Sequence, residues 1–188
     1  MGNREDLLAG ARRCLFEKGY ARTTVRDIAA AAGGVSMAAI GYHFGSKEAL
    51  LNEALAEANR EWGAELERAL DDAAQPGATP LDRFATNWQA VIDSIGAHRG
   101  LWAATFDTLA QAGHDPKTRD QLADKLTEAR GGLARLFEHL DEADTAQGRA
   151  VGALYQALLT GVAAQYLIDP DHAPTGAELA AALRTITG

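Results

Sequence analysis

Residues 23–44 read TTVRDIAAAAGGVSMAAIGYHF, and this stretch decides the fold. Thr23 or Thr24 supplies a capping hydroxyl, Val25, Ile28, Ala29 and Ala32 recur at helical spacing, and Gly33-Gly34 ends the pattern after about two turns. Ser36 then caps another short helix, with Val35, Ile40 and Phe44 available to pack inward. Short helix, tight glycine turn, short helix is the helix-turn-helix pattern. Ahead of it, Leu7, Leu8, Ala11, Cys14, Leu15 and Lys18 follow a 3.6-residue period that Gly19 stops, so a helix over about residues 4–18 completes a three-helix unit.

Beyond Gly45-Ser46 the spacing predicts a much longer helix, from Lys47 to about Ala74, with Leu50, Leu51, Leu55, Trp62, Leu66 and Leu70 along it. At about 1.5 Å per residue it reaches roughly 40 Å, enough to join two bodies. Gln75-Pro76-Gly77-Ala78 closes it, and Thr79-Pro80 opens the next helix, which carries Leu81, Phe84, Trp88, Val91, Ile92 and Ile95. Further helices are expected over about 101–111, from Asp115-Pro116 to about Leu140, and from an Asp144/Gln147 capping box to about Ile168. The last is apolar nearly all round, through Val151, Leu154, Tyr155, Leu158, Leu159, Val162, Tyr166 and Leu167. A helix of that kind needs cover on every side. The expected source is a second copy of the chain, so helices of about 116–140 and 145–168 from each subunit form a four-helix homodimer interface, with Gly152, Ala157 and Gly161 permitting close approach.

Composition agrees with an all-α protein. Ala (40) and Leu (22) dominate the 188 residues while Val and Ile together number 11, which favours helices over a sizeable sheet. The net charge of -8 argues at first against a nucleic-acid partner, but the average conceals a split. Residues 1–50 hold 7 bases against 5 acids, a net +2, and the remaining 138 hold 11 against 21, a net -10. The single cysteine, Cys14, cannot form an internal disulfide, no uninterrupted apolar run approaches a bilayer span, and no signal-peptide stretch opens the chain; the expected location is the cytoplasm, with no membrane partner. The five histidines show no paired metal-ligand spacing, and no nucleophile elbow or phosphate loop is visible, so neither enzyme chemistry nor a cofactor or metal is expected.

The unit from Arg4 to Leu51 resembles the TetR family of one-component transcriptional regulators. The matching residues form a phrase: Ala11, Leu15-Phe16, Gly19-Tyr20, Thr23-Thr24-Val25, Asp27-Ile28-Ala29, Ala32-Gly33, Val35-Ser36, Tyr42-His43-Phe44 and Ser46-Lys47-Glu48-Ala49-Leu50. The resemblance implies a helix-turn-helix DNA-binding domain, residues 1–46, joined by the long helix to a helical ligand-binding and dimerisation domain, residues 47–188. The helix from Ser36 to His43 would enter the major groove, with Ser36 and Met37 against base edges or thymine methyl groups and Ala38 allowing close approach. Tyr42, His43 and Lys47 are expected at phosphates and groove walls, as are Thr24 and Arg26 at the preceding helix. Two departures stand out: Gly33-Gly34 is one residue longer than the family's usual turn, and Gly41 stands where Tyr is common, at a helix cost of about 1 kcal/mol relative to Ala.

By the same resemblance the acidic part binds a small-molecule effector, and the long helix carries the effect to the spacing of two recognition helices on a palindromic double-stranded operator. The function implied is a dimeric repressor released by ligand. Trp62, Trp88, Trp102, Phe106, Tyr155 and Tyr166 are candidate pocket walls and His98 a candidate polar contact. A helical protein-interaction module, or a ligand-binding protein without DNA binding, is the alternative reading.

Overall fold

Apolar stripes at 3.6-residue spacing are buried by laying helix against helix, and the chain does this throughout. The computed structural model describes residues 3–112, 116–138 and 145–188, and among them are nine α-helices and no strand. They are α1 (Asn3–Lys18), α2 (Val25–Ala31), α3 (Met37–Phe44), α4 (Lys47–Ala73), α5 (Pro80–Ala97), α6 (Arg99–Ala112), α7 (Pro116–Glu138), α8 (Ala146–Ile168) and α9 (Gly176–Thr187). The helices group into two compact units: one holds the described residues up to Gly63 with those from His98 to Ala112, the other Ala64–Ala97 and the described residues beyond 115. The expected division at residue 46 thus marks the start of α4, and by packing the N-terminal unit also includes the first part of α4 and all of α6.

In the first unit Leu7, Ala11, Cys14 and Leu15 of α1 are buried with Ile28, Ile40, Leu50, Leu51, Ala54 and Ala58. A Cβ on Gly10 would lie 2.9 Å from the Ile28 carbonyl oxygen and 2.8 Å from the Ala32 nitrogen, so α1 and α2 touch backbone to backbone and only glycine fits between them. The extra glycine of the turn closes a Schellman motif. Gly33 and Gly34 both have positive φ (80° and 85°), the Gly34 N–H donates to Ala29 (2.9 Å) and the Gly33 N–H to Ala30 (3.1 Å). Two exposed ion pairs, Arg4–Glu53 and Arg12–Glu61, reach from α1 to α4 in the same order along both helices. Exposed pairs contribute only about 0–1 kcal/mol each, so they orient more than they stabilise.

The second unit is built on Trp88, Val91 and Ile95 of α5, Ala134 of α7 and Val162 and Ala163 of α8, all buried. The starts of α5 and α9 share one device. Thr79 with Asp82, and Thr175 with Glu178, exchange side-chain and backbone hydrogen bonds across three residues, satisfying N–H groups that a helix N-terminus otherwise leaves bare. The Thr175 box opens α9, an element the hydrophobic spacing had not marked, and α9 packs on α5 where the Gly176 N–H donates to Gln89 Oε1 at 3.2 Å. The expected caps at Asp115 and Asp144 lie outside the described residues; α8 is capped by Thr145, whose hydroxyl accepts the Gly148 N–H at 3.0 Å.

Two expectations about α8 are corrected. Gly152 does not serve a subunit contact: a Cβ there would lie 2.2 Å from the Arg130 carbonyl oxygen, so its missing side chain seats α8 on α7 of the same chain. Nor does the lack of an uninterrupted apolar run keep α8 below membrane-span hydropathy. Gln156, Thr160 and Gln165 break the run, yet the 23-residue helix reaches a mean hydropathy of 1.3 over an 18-residue window, long and apolar enough by length and composition to cross a bilayer. Only 28% of that window is buried within the chain.

Gly152→Ala should therefore lower stability by about 1–3 kcal/mol through overpacking against rigid backbone. Gly161→Ala, where a Cβ meets nothing within 4 Å, should not. Urea unfolding of the two variants distinguishes them, and equal stabilities would contradict the α7–α8 packing.

Candidate functional site

The N-terminal unit presents one helix face with almost nothing behind it. In α3, Ile40 is 2% exposed and points inward, whereas Met37 is 53% and Tyr42 85% exposed, with Ser36, Ala38 and Gly41 exposed beside them. Positions 37, 38, 41 and 42 share one side of a helix. Ser36 caps it, its hydroxyl accepting the Ala38 N–H at 3.3 Å. His43 is half-buried, its ring 4.9 Å edge-on to Tyr42. Arg26 is exposed on α2.

Thr24 and Lys47 are placed differently. Thr24 caps α2 in a closed box with Asp27: its N–H (3.0 Å) and hydroxyl (2.6 Å) both donate to Asp27 Oδ2, and the Asp27 N–H returns to Thr24 Oγ1 at 3.2 Å. The Lys47 ammonium donates to the Thr23 carbonyl at 3.1 Å, tying the start of α4 to the loop before α2. Both polar groups are engaged in building the unit. Thr23, beside them, is buried and donates its hydroxyl to the Gly19 carbonyl at 2.8 Å.

The Asp27 carboxylate also pairs with Lys18. The Lys18 ammonium first, and then the Thr24 hydroxyl and N–H, hold its carboxyl well below the usual range, while Asp27 raises the Lys18 ammonium in turn. The acid next to Arg26 in sequence is thereby kept paired. Asp107 is a positioning residue that sequence reading missed. Its carboxylate, on α6, accepts the Tyr20 N–H at 3.2 Å, and the Tyr20 hydroxyl donates to Asn52 of α4 at 3.0 Å. Contacts across 87 residues leave no local signal.

The aromatic residues expected to form one pocket fall into two clusters, one in each unit. In the first unit Trp62 and Trp102 meet edge to face, ring centroids 5.2 Å apart, with Phe106 half-buried one turn along α6 from Trp102. His98 is half-buried just before α6, its carbonyl accepting the Trp102 N–H at 3.2 Å. In the second unit Trp88, Phe137 and Tyr155 stack, with Phe137–Tyr155 centroids 4.6 Å apart and Trp88 at 6.0 Å from Phe137. The Tyr155 hydroxyl donates to Glu138, and burial, with Glu138 adding, pushes the phenol up. Tyr166 stands apart from this stack, its hydroxyl against Gly96. In each cluster one buried indole N–H, that of Trp88 and that of Trp102, has no hydrogen-bond partner among the described residues. Phe137 in the stack, and Phe84 tilted against Trp88, were not foreseen as site residues, although both stood in the helical spacing.

Residues 7–54 match the family model of bacterial regulatory proteins of the tetR family, and residues 80–188, more than half of the chain, match that of the C-terminal region of BetI-type transcriptional repressors. The chain belongs to the TetR family of bacterial regulatory proteins. It is 48% identical over 50 residues to the transcriptional repressor AcnR of Corynebacterium efficiens, a match covering 27% of this chain and 26% of that relative. The chain thus matches about a quarter of the length of that curated relative. Among solved structures, the multidrug-binding protein EbrR in complex with imidazole superposes with a TM-score of 0.69 at 25% identity, covering 97% of this chain and 88% of the other. A transcriptional regulator from Rhodococcus sp. Rha1 superposes at 0.64 with 22% identity, covering 99% and 95%, a likeness of fold. The TetR-family match at residues 7–54 spans α2 and α3 whole.

The low Asp27 value fixes the sign of a pH effect. Its stabilising contribution is fully present above the ordinary carboxylate pKa of about 4 and disappears as pH falls through the depressed folded value. The stability advantage of the wild type over Asp27→Asn, from urea midpoints, should shrink steadily as the solution is acidified; an advantage independent of pH would remove the Lys18–Asp27–Thr24 cluster.

Proposed function

We propose that this protein is a dimeric cytoplasmic repressor that binds a palindromic double-stranded DNA operator through α3 and is released by a small-molecule effector. The observation that carries the reading is the outward face of α3, in a unit matched by the TetR-family model, with Ile40 buried and Phe44 half-buried on its other side. Residues 1–46 act as the reader and 47–188 as the sensor and dimer body. Ser36, Met37 and Ala38 meet base edges, Tyr42 and His43 meet the groove wall, and Arg26 meets phosphate. Thr24 and Lys47 act by holding α2 and the loop before it in register, so that their backbone meets the strand. Repression is the activity named for the AcnR relative and for the C-terminal family model.

Dimerisation is supported by α8. Its exposed stripe, Ala150, Leu154, Ala157, Gln165 and Ile168 with half-buried Gly161, repeats every three to four residues, and Leu154 (57%) and Ile168 (85%) are among the most exposed large apolar side chains. A second copy laid along this stripe removes apolar surface from water and gives the two-fold symmetry that a palindrome needs. The effector is bound by the C-terminal helices at the Trp88–Phe137–Tyr155 stack, where the free indole N–H offers a hydrogen bond to an acceptor. Binding moves α4, and with it the separation of two α3 helices from the duplex repeat of about 34 Å.

Purified protein should bind DNA flanking its own coding region, with affinity falling steeply as salt rises, and Arg26→Ala should weaken binding to all sequences alike and reduce the log–log salt slope by about 1. Absence of salt-sensitive binding overturns the regulator reading and leaves a helical interaction module. Leu154→Glu should yield a folded monomer by sedimentation at micromolar concentration; an unaltered dimer would move the interface off α8.

A further inference from the structure

The glycines of the N-terminal unit mostly explain themselves. Gly19, Gly33, Gly34 and Gly45 have positive φ, and a Cβ on Gly10 or Gly100 would press on Ile28 and Ala32 or on Phe16. Gly41 is different. It lies inside α3 with ordinary helical backbone, it is exposed, and a Cβ there would meet nothing within 4 Å. Neither conformation nor packing within the chain asks for glycine, and in a helix of only eight residues it weakens the element it sits in. What the missing side chain leaves is a shallow notch. Ala38 and Gly41 lie three residues apart on the outward face, with Met37 and Tyr42 standing beside them as large exposed walls, two of the most exposed large apolar side chains among the described residues. An eight-residue helix that turns such groups to solvent is shaped for contact with something else.

The chemistry of the notch narrows what that is. Between the Ser36 hydroxyl at one end and the Tyr42 hydroxyl at the other, Met37, Ala38 and Gly41 offer no side-chain donor, and no acceptor beyond the weak Met37 thioether. A duplex major groove is read there by shape and apolar contact, and the apolar group on its edge is the thymine C5 methyl. We propose that Gly41 is a specificity-determining residue: with Ala38 it forms a seat for a thymine methyl group, walled by Met37 and Tyr42, that lets the α3 backbone approach the base edge. The seat rests on the DNA-binding reading above and names what its central, otherwise featureless stretch recognises.

The test uses duplexes selected by the full-length protein from a randomised pool, remade with deoxyuridine for individual thymines, which deletes only the methyl group. Removing the methyl at one symmetric pair of positions should weaken wild-type binding about tenfold. Gly41→Ala should unfold at the same or a higher temperature than wild type, yet bind the thymine duplex about tenfold more weakly and no longer distinguish it from the deoxyuridine duplex. Binding of a random duplex of equal length should be little changed. The opposite signs for folding and binding separate this role from a structural one. The seat is overturned if Gly41→Ala binds and discriminates as wild type does, or if no single methyl deletion matters to the wild type. Failure of the wild type to select any duplex is a separate outcome, which removes the DNA-binding reading itself.

Discussion

Backbone lies against backbone at Gly10, and the position of the outward-facing helix follows from that contact. With a Cβ excluded, α2 settles on α1 closely enough for Ile28 to be fully buried, and the Schellman turn at Gly33-Gly34 then fixes where α3 begins. Because α3 contributes only Ile40 deeply to the core, its remaining side chains are free to face outward. Anything that lifted α2 off α1 would re-aim α3 without touching it. The ties from Lys47 to Thr23, and from Asp107 and Asn52 to Tyr20, hold the same loop from α4 and α6.

One consequence concerns the use of polar groups. Thr24 and Lys47, expected at phosphates, also make hydrogen bonds within the unit, Thr24 with Asp27 and Lys47 with the Thr23 carbonyl, and Asp27 pairs with Lys18. The face left over is sparsely charged and largely apolar at its centre. Part of the small basic excess of residues 1–50 is paired within the unit, through Arg4, Arg12 and Lys18. It is the acidity of the remaining chain that gives direction, since a duplex repels it.

The C-terminal unit shows the same economy. Trp88 is enclosed by Phe84, Phe137 and Tyr155, yet its N–H is left without an acceptor, a cost of about 1–3 kcal/mol where no bond forms. On α8 the division is by face: Gly152, Tyr155, Leu159 and Val162 turn into the chain, and Leu154 and Ile168 turn out.

Local signals settled the element types. Periodic apolar residues, threonine caps and glycine stops placed α1 to α8 to within a few residues, because each helix start and stop is made by groups three to five positions apart. The short α9 escaped the periodicity, although its Thr175/Glu178 box was legible, because much of its surface is exposed alanine. The residues of the α3 face were also legible, through a phrase of family residues in one register. Which polar groups stay free, which aromatics meet and which glycines are required by packing were decided only in three dimensions. Those outcomes depend on partners well separated along the chain, as with Gly10 and Ala32, Trp62 and Trp102, Arg4 and Glu53 or Tyr20 and Asp107, and which of them meet is set by how helices dock, not by the order of residues along any one of them.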